Sequence, residues 1–340
     1  MGLSVIENLI RKDATIDSNS HYICVAVWQY QMIVTVTMNP AIDKTADLVK
    51  LEVGSLNRLK NVIMDAGGKG INVSKTIKAL GGKTIACGFI GGSGGVVIEQ
   101  VLREQGITSD FIKIENGTRT NLKIVEENGF VTELNEPGPF VSEEEINALQ
   151  EKLLSYAGED TLFVLAGSIP NGVDKGIYKT ITKMVKQKGA KVFLDADGEL
   201  FVNALEGAPD IIKPNRSELE EYFHKDYRVD EKELIEMGHQ LMDKGIGMVA
   251  ISLGQMGALF LTNEKVIKCP GLKVEAHSTV GAGDAMVAAL SFGLSLNKDI
   301  EECVKLAMAT SAGAVTTKGT KPPTKELVEE LMERVQIITL

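Results

Sequence analysis

The run Ser278-Thr279-Val280-Gly281-Ala282-Gly283-Asp284 carries the strongest chemical signal in the chain, because a helical stretch over 285–294 follows it at once. Two glycines permit a tight turn whose bare peptide N–H groups face outward at a helix N-terminus. The dipole and the unpaired donors there favour negative charge. Gly281, Ala282 and Gly283 can therefore form an anion hole for a migrating phosphoryl group. Asp284, in the first helical turn, can accept the proton of an attacking hydroxyl. A glycine turn followed by an ordinary aspartate that stabilises the helix dipole would have the same sequence.

A second cluster, Asp65-Ala66-Gly67-Gly68-Lys69-Gly70-Ile71-Asn72-Val73, precedes a helix running to about Leu80. Glycines let a ligand approach the backbone, while Lys69 and Asn72 supply a cation and an amide suited to a polyhydroxylated anion. Close packing at a helix entry would also explain them. In Lys213-Pro214-Asn215-Arg216-Ser217-Glu218 the N-x-x-E spacing allows two readings. One is a capping arrangement; the other is a Glu218 that orders Mg²⁺ through water, since this ion keeps much of its hydration shell in phosphate sites. Two other nucleotide patterns fail. Met286 replaces the third glycine of a dinucleotide fingerprint, and Ile77 replaces the first glycine of a phosphate loop ending in Gly82-Lys83-Thr84.

The elements that must position these residues alternate along the chain. Strand patterns cover 84–90, 161–166, 191–195, 211–213, 248–253 and 258–262, and helical patterns cover 96–105, 175–188, 217–223, 231–244, 284–294 and 300–317. Strands separated by helices of this length require crossovers, hence an α/β fold with a mostly parallel sheet covered on both faces. Residues 33–38 open the series as its first core strand. Two stretches, about 43–64 and 118–134, lack helices, and Glu127-Asn128-Gly129 reads as a hairpin tip. They are expected to form a small β-lid over the strand ends.

With 340 residues and 44% hydrophobic content the chain can bury one large core. Thirty-six Lys and Arg against 46 Asp and Glu leave a net charge of −10, which disfavours nucleic acid as a partner. Cys24, Cys87, Cys269 and Cys303 are scattered, without the spacing of a disulfide framework or a zinc site. No run approaches the roughly 18 apolar residues of a membrane span. A cytoplasmic protein is expected. Residues 1–31 differ in character from the remainder of the chain and read either as an N-terminal extension, with Met32 as the expected functional start, or as an ordered additional strand or helix; residues 32–340 are the expected catalytic unit.

The order of Asn39-Pro40-Ala41-Ile42-Asp43, Gly67-Gly68-Lys69-Gly70, Asn215-x-x-Glu218 and Gly281-Ala282-Gly283-Asp284 resembles that of the PfkB (ribokinase-like) carbohydrate kinases. The resemblance runs from Met32 to the C-terminus. It implies a three-layer α/β/α core with a β-lid through which such kinases often pair as homodimers, and ATP with Mg²⁺ as phosphoryl donor. Residues 35–43, 70–73, 119–123 and 132–135 look most like the branch acting on fructose 1-phosphate, with the tagatose 6-phosphate branch as close neighbour. The acceptor is thus expected to be a ketohexose monophosphate. A sugar-phosphate-binding regulator without catalysis is the rival from another class.

Carried over by motif, Asp284 is the implied base and Gly281, Ala282 and Gly283 the anion hole. Asp43, Gly67, Gly68 and Asn72 are implied to grip sugar hydroxyls, with Ser168 nearby. Lys69, Arg119 and Lys123 are implied to neutralise the phosphate already on the sugar, for which a bidentate arginine is apt; a solvated strand face would also account for Arg119 and Lys123. Lys213, Asn215, Ser252, Gly254 and Gly257 are implied nucleotide contacts; a plain β-turn would also account for 252–257. The chain departs from the family at Asp195-Ala196-Asp197-Gly198, where relatives commonly carry a hydroxyl residue after the first aspartate, which leaves a metal role for Asp195 open.

Overall fold

The strand Thr161–Ala166, sequence TLFVLA, is buried at every position. That is what a central strand needs when both faces of a parallel sheet are covered. It lies beside Met32–Thr37, and the two pair in parallel register from Met32↔Thr161 to Val36↔Leu165. The computed structural model describes residues 30–277, 279–317 and 319–340. The expected extension over 1–31 therefore falls almost wholly outside the described residues, as does Ser278.

Around this pair the main sheet grows in both directions. Ile85–Gly91 joins Met32–Thr37 on one side, and Lys191–Asp195, Ile211–Ile212 and Met248–Ser252 follow on the other, all parallel. Ala258–Thr262, Val266–Cys269 and Ile338–Thr339 then finish that edge antiparallel. Helices on both faces bury two large apolar clusters against the sheet, which gives the three-layer α/β/α architecture.

A separate four-stranded sheet is ordered Lys60–Gly67, Ala41–Leu48, Arg119–Glu126, Val131–Asn135. It coincides with the two helix-free stretches, and its last two strands meet in a hairpin around 127–130. Its roots are near the carboxyl end of Met32–Thr37, because Ala41–Leu48 leaves that strand through Asn39-Pro40 and Lys60–Gly67 runs into the helix Lys69–Ala79. Ile42 and Ala66 from the small sheet, together with Ile71, Ile90, Ile98 and Leu102 below it, form a third apolar cluster that fixes this root.

Several helices start earlier than the apolar pattern suggests. The helix expected over 96–105 is Gly92–Glu104, and that expected from Asp284 is Ala282–Ser295. In both cases the additional residues are mostly glycine or alanine, which carry no periodic signal. Glu143–Tyr156, Gly198–Leu205 and Lys325–Met332 are further helices that the pattern did not single out. Among the described residues no helix is long and apolar enough to cross a membrane.

Candidate active site

Gly281 caps the helix Ala282–Ser295 with φ 85° and ψ −7°, in the left-handed region that glycine enters without strain. The first intrahelical bond runs from Ala285 N–H to the Gly281 carbonyl at 2.9 Å. The N–H groups of Ala282, Gly283 and Asp284 precede that ladder, and no side chain caps them. The Ser311 hydroxyl donates to the Ala282 carbonyl at 3.0 Å, which ties the turn to the helix Ile300–Ala314. Residues 281–283 remain partly exposed, so the turn is reachable from solvent.

Asp284 follows as a buried carboxylate. Asn72, on the helix Lys69–Ala79, donates its side-chain amide to Asp284 Oδ2 at 2.8 Å. Burial pushes the Asp284 carboxyl up to about 7, and the nearby charge of Asp195 adds to the rise. The Asn72 bond and the cations Lys69 and Lys213 offset only part of it. The group is thereby placed near neutrality, the range suited to taking and returning a proton.

The two lysines share one anchor. Lys213 Nζ lies 3.3 Å from Asp195 Oδ1 and Lys69 Nζ 3.5 Å from the same oxygen, while Asp197 stands 3.9 Å from Lys69. Burial works against the Asp195 anion, but the two ammonium groups outweigh it and hold its carboxyl below the usual range. Burial likewise works against charged Lys69, yet Asp195, Asp284, Asp197 and Glu218 carry its net shift upward. Lys213 reaches the anion turn: a Cβ placed on Gly283 would stand 3.2 Å from Lys213 Nζ. The side chain of Lys69 lies 3.5 Å from the corresponding point on Gly167, which brings the Gly167-Ser168 turn to the same place.

Asp43 sits on the small sheet with its carboxylate against Gly67, since a Cβ there would meet Asp43 Oδ2 at 2.1 Å. Asn121 donates to Asp43 Oδ1 at 3.0 Å from the register position opposite. Burial raises the Asp43 carboxyl, and the Asn121 bond with Lys123, Lys75 and Arg119 partly offsets it. Arg119 donates to the carbonyls of Glu136 at 2.7 Å and Asn39 at 3.1 Å, and Lys123 pairs with Glu133 at 3.0 Å. Both cations are thus near Asp43 but engaged with protein groups. Asn39 donates to Ser168 Oγ at 3.3 Å. Buried Thr37 Oγ1, Asn39 Oδ1, Asn72 Oδ1, Asn121 Oδ1 and Arg119 Nε have no protein partner. Buried polar atoms are normally paired, and so many unpaired on neighbouring elements suit a ligand rich in hydroxyls.

Glu218 is a capping residue here. Asn215 donates both its backbone N–H and its side-chain amide to the Glu218 carboxylate, at 2.8 and 2.7 Å, and accepts the Glu218 N–H in return. Burial raises the Glu218 carboxyl despite the Asn215 bond and Lys213. Asn215 also bridges to Ser252, and the 3₁₀ turn Gly254–Met256 follows before Gly257. The expected nucleotide contacts thus adjoin one another. A cleft of about 990 Å³ opens elsewhere, lined by Phe201, Tyr222, Phe223 and His224, and has only Glu218 in common with these groups.

The profile of the pfkB family carbohydrate kinases matches residues 36–327. The chain belongs to the PfkB family. Like other PfkB proteins it is a carbohydrate kinase, transferring phosphate to an alcohol. It is 36% identical over 309 residues to the 1-phosphofructokinase of Bacillus subtilis, covering 91% of this chain and 100% of that one. The Borreliella burgdorferi 1-phosphofructokinase is 37% identical over 286 residues, covering 84% and 91% of the two chains. Escherichia coli phosphofructokinase-2, crystallised with substrates and products, superposes with a TM-score of 0.85 at 26% identity over 89% of this chain and 99% of that one.

Two participants escaped the sequence reading. Asp195 could be named but given no task, because its work is to gather lysines from positions 69 and 213. The other is Lys75, whose only sequence signal is that it falls one helical turn after Ile71 on the apolar stripe of its helix, where a lysine is out of place.

Proposed function

We propose that this kinase transfers the γ-phosphoryl group of ATP to the 6-hydroxyl of fructose 1-phosphate, giving fructose 1,6-bisphosphate and ADP. The observation that carries this reading is the buried Asp284, tuned to about 7, beneath the open donors of the Gly281-Ala282-Gly283 turn. The relatives named 1-phosphofructokinase support the choice of sugar. The acceptor oxygen attacks the γ-phosphorus, its proton passes to Asp284, and the bond to the β-phosphate bridging oxygen breaks. The turn and Lys213 stabilise the charge on the transferring group. Asp43 and Asn72 hold sugar hydroxyls. Arg119 and Lys123 face the phosphate already present after exchanging their protein partners for it, while Lys69, which shares Asp195 with Lys213 near Asp284, stands at the end of the site where transfer occurs.

Among the described residues no group of three or more His, Cys, Asp or Glu side chains is arranged to hold a metal. Mg²⁺ is read as entering with ATP, as part of the donor. Each Glu218 oxygen keeps a lone pair beyond its Asn215 bond, so the residue fits a water-mediated contact. When bound, Mg²⁺ neutralises charge on the β- and γ-oxygens.

A panel of sugar phosphates with ATP and Mg²⁺ tests the substrate. Turnover should be highest on fructose 1-phosphate and lower by at least about tenfold in kcat/KM on tagatose 6-phosphate and fructose 6-phosphate. A preference for tagatose 6-phosphate would reassign the acceptor, and no turnover at all would favour a regulator. We also assign pairing of two copies to the small sheet, where Met64 and Leu134 are 59% and 55% exposed on one face. Sedimentation should show a dimer that Met64→Lys with Leu134→Lys reduces to a monomer; an unchanged dimer would place the interface elsewhere.

A further inference from the structure

Lys75 is 3% exposed, yet it carries an ammonium group. Its Nζ lies 2.6 Å from Asp65 Oδ1 and 2.6 Å from the Ala66 carbonyl, both near the end of the strand Lys60–Gly67, which runs into the helix that bears Lys75. Burying a charge is costly unless it is paired, and an apolar side chain would pack this helix against the strand as well, as Ile71 does one turn earlier. A buried ion pair adds little net stability over such a residue. What it does provide is a fixed geometry.

The geometry in question concerns Asp43. Asp65 is the register partner of Asp43, and Gly67 two residues on is the backbone against which the Asp43 carboxylate rests. A slip of one residue between these strands would turn Asp43 to the opposite face. The connection to the helix runs through Gly68 at φ 117°, a flexible position that cannot by itself hold the strand in place.

We propose that Lys75 is a positioning residue for sugar capture: by clamping Asp65 and Ala66 to the helix Lys69–Ala79, it fixes the strand register that holds Asp43 over the Gly67-Gly68 turn. The inference rests on the reading of Asp43 as a sugar-binding carboxylate. Lys75 is also one of the cations facing Asp43, along with Lys123 and Arg119, so it supports the anion as well as its place.

The test compares Lys75→Met, Lys75→Arg and Asp65→Asn with the wild type, using MgATP and whichever sugar phosphate the wild type turns over best. Lys75→Met should raise KM for the sugar phosphate about tenfold or more, with KM for ATP and kcat at saturating sugar within about twofold. Asp65→Asn should move the same parameter in the same direction, and Lys75→Arg should recover much of the loss. Should Lys75→Met fail to fold, Asp65→Asn alone carries the test, because its carboxylate is partly exposed and the bond to Ala66 survives. A sugar KM that stays at the wild-type value, or one that rises in step with KM for ATP, overturns the proposal. If the wild type turns over none of the sugars, the functional reading falls separately. Calorimetric titration of fructose 1-phosphate into the wild type and Lys75→Met then decides, with equal affinity counting against the clamp.

Discussion

Replacing Asp284 by asparagine should lower kcat by about two to four orders of magnitude while KM for ATP changes little, because general-base catalysis contributes about that much. The substitution preserves shape, and an amide oxygen can still accept the bond that Asn72 donates to Oδ2 at 2.8 Å. Only the proton acceptor is lost. The wild type supplies the control through its pH profile. With the carboxyl pushed up to about 7, the group is protonated below that pH and cannot take a proton from the sugar hydroxyl. In the wild type kcat/KM should therefore fall about tenfold per unit on the acid side of about pH 7, and that limb should vanish from the residual activity of Asp284→Asn. A variant that keeps wild-type turnover removes the base from the mechanism. A wild-type limb near pH 4 would show that burial and Asp195 do not tune the group.

How much of this could be read from the sequence differs between fold and site. Strands such as Thr161–Ala166 and Ala258–Thr262 have the bounds expected of them, because fully buried parallel or central strands are written as short apolar runs between turn residues. The small sheet was legible by exclusion, as two stretches where helical periodicity stops. Helix starts were less legible: Gly92-Ser93-Gly94-Gly95 reads as a loop by composition yet begins a helix. For the site, the turn at Gly281-Ala282-Gly283-Asp284 was legible because its chemistry is local: a helix start, its donors and its acid are consecutive. The work of Asp195 and Lys75 was not. Each acts through partners brought to it by the fold, Lys213 and Lys69 in one case and the far strand of a separate sheet in the other, and no short-range pattern encodes such pairing. Glu218 shows the converse, for its N-x-x-E spacing specifies a cap and the cap is formed, whatever contact with metal-bound water it also makes.

Asp195→Asn should be the most costly substitution for folding among the site residues. Asp195 is 3% exposed and its side chain is the shared partner of Lys69 and Lys213, the latter with a side chain only 8% exposed. Removing one member of a buried pair strands the other's charge, a loss of about 3–5 kcal/mol, to be read from urea unfolding at pH 7. Because the folded-state carboxyl is held below its ordinary value, this contribution is fully present above the unfolded value of about 3.9 and disappears as pH falls through the folded one. The stability gap between wild type and variant should accordingly narrow in acid. Adding Lys213→Met to Asp195→Asn should recover part of the loss, since the stranded ammonium is gone, and the non-additivity measures their coupling. The same variant also bears on catalysis. Asp195 is a like charge that raises the Asp284 carboxyl, and its lysines would be left to the Asp284 anion, so the acid limb of kcat/KM should move below about pH 7 even as the rate falls. An acid limb that stays in place while stability drops would mean that Asp195 anchors the lysines without setting the charge of the base, and that burial alone raises Asp284.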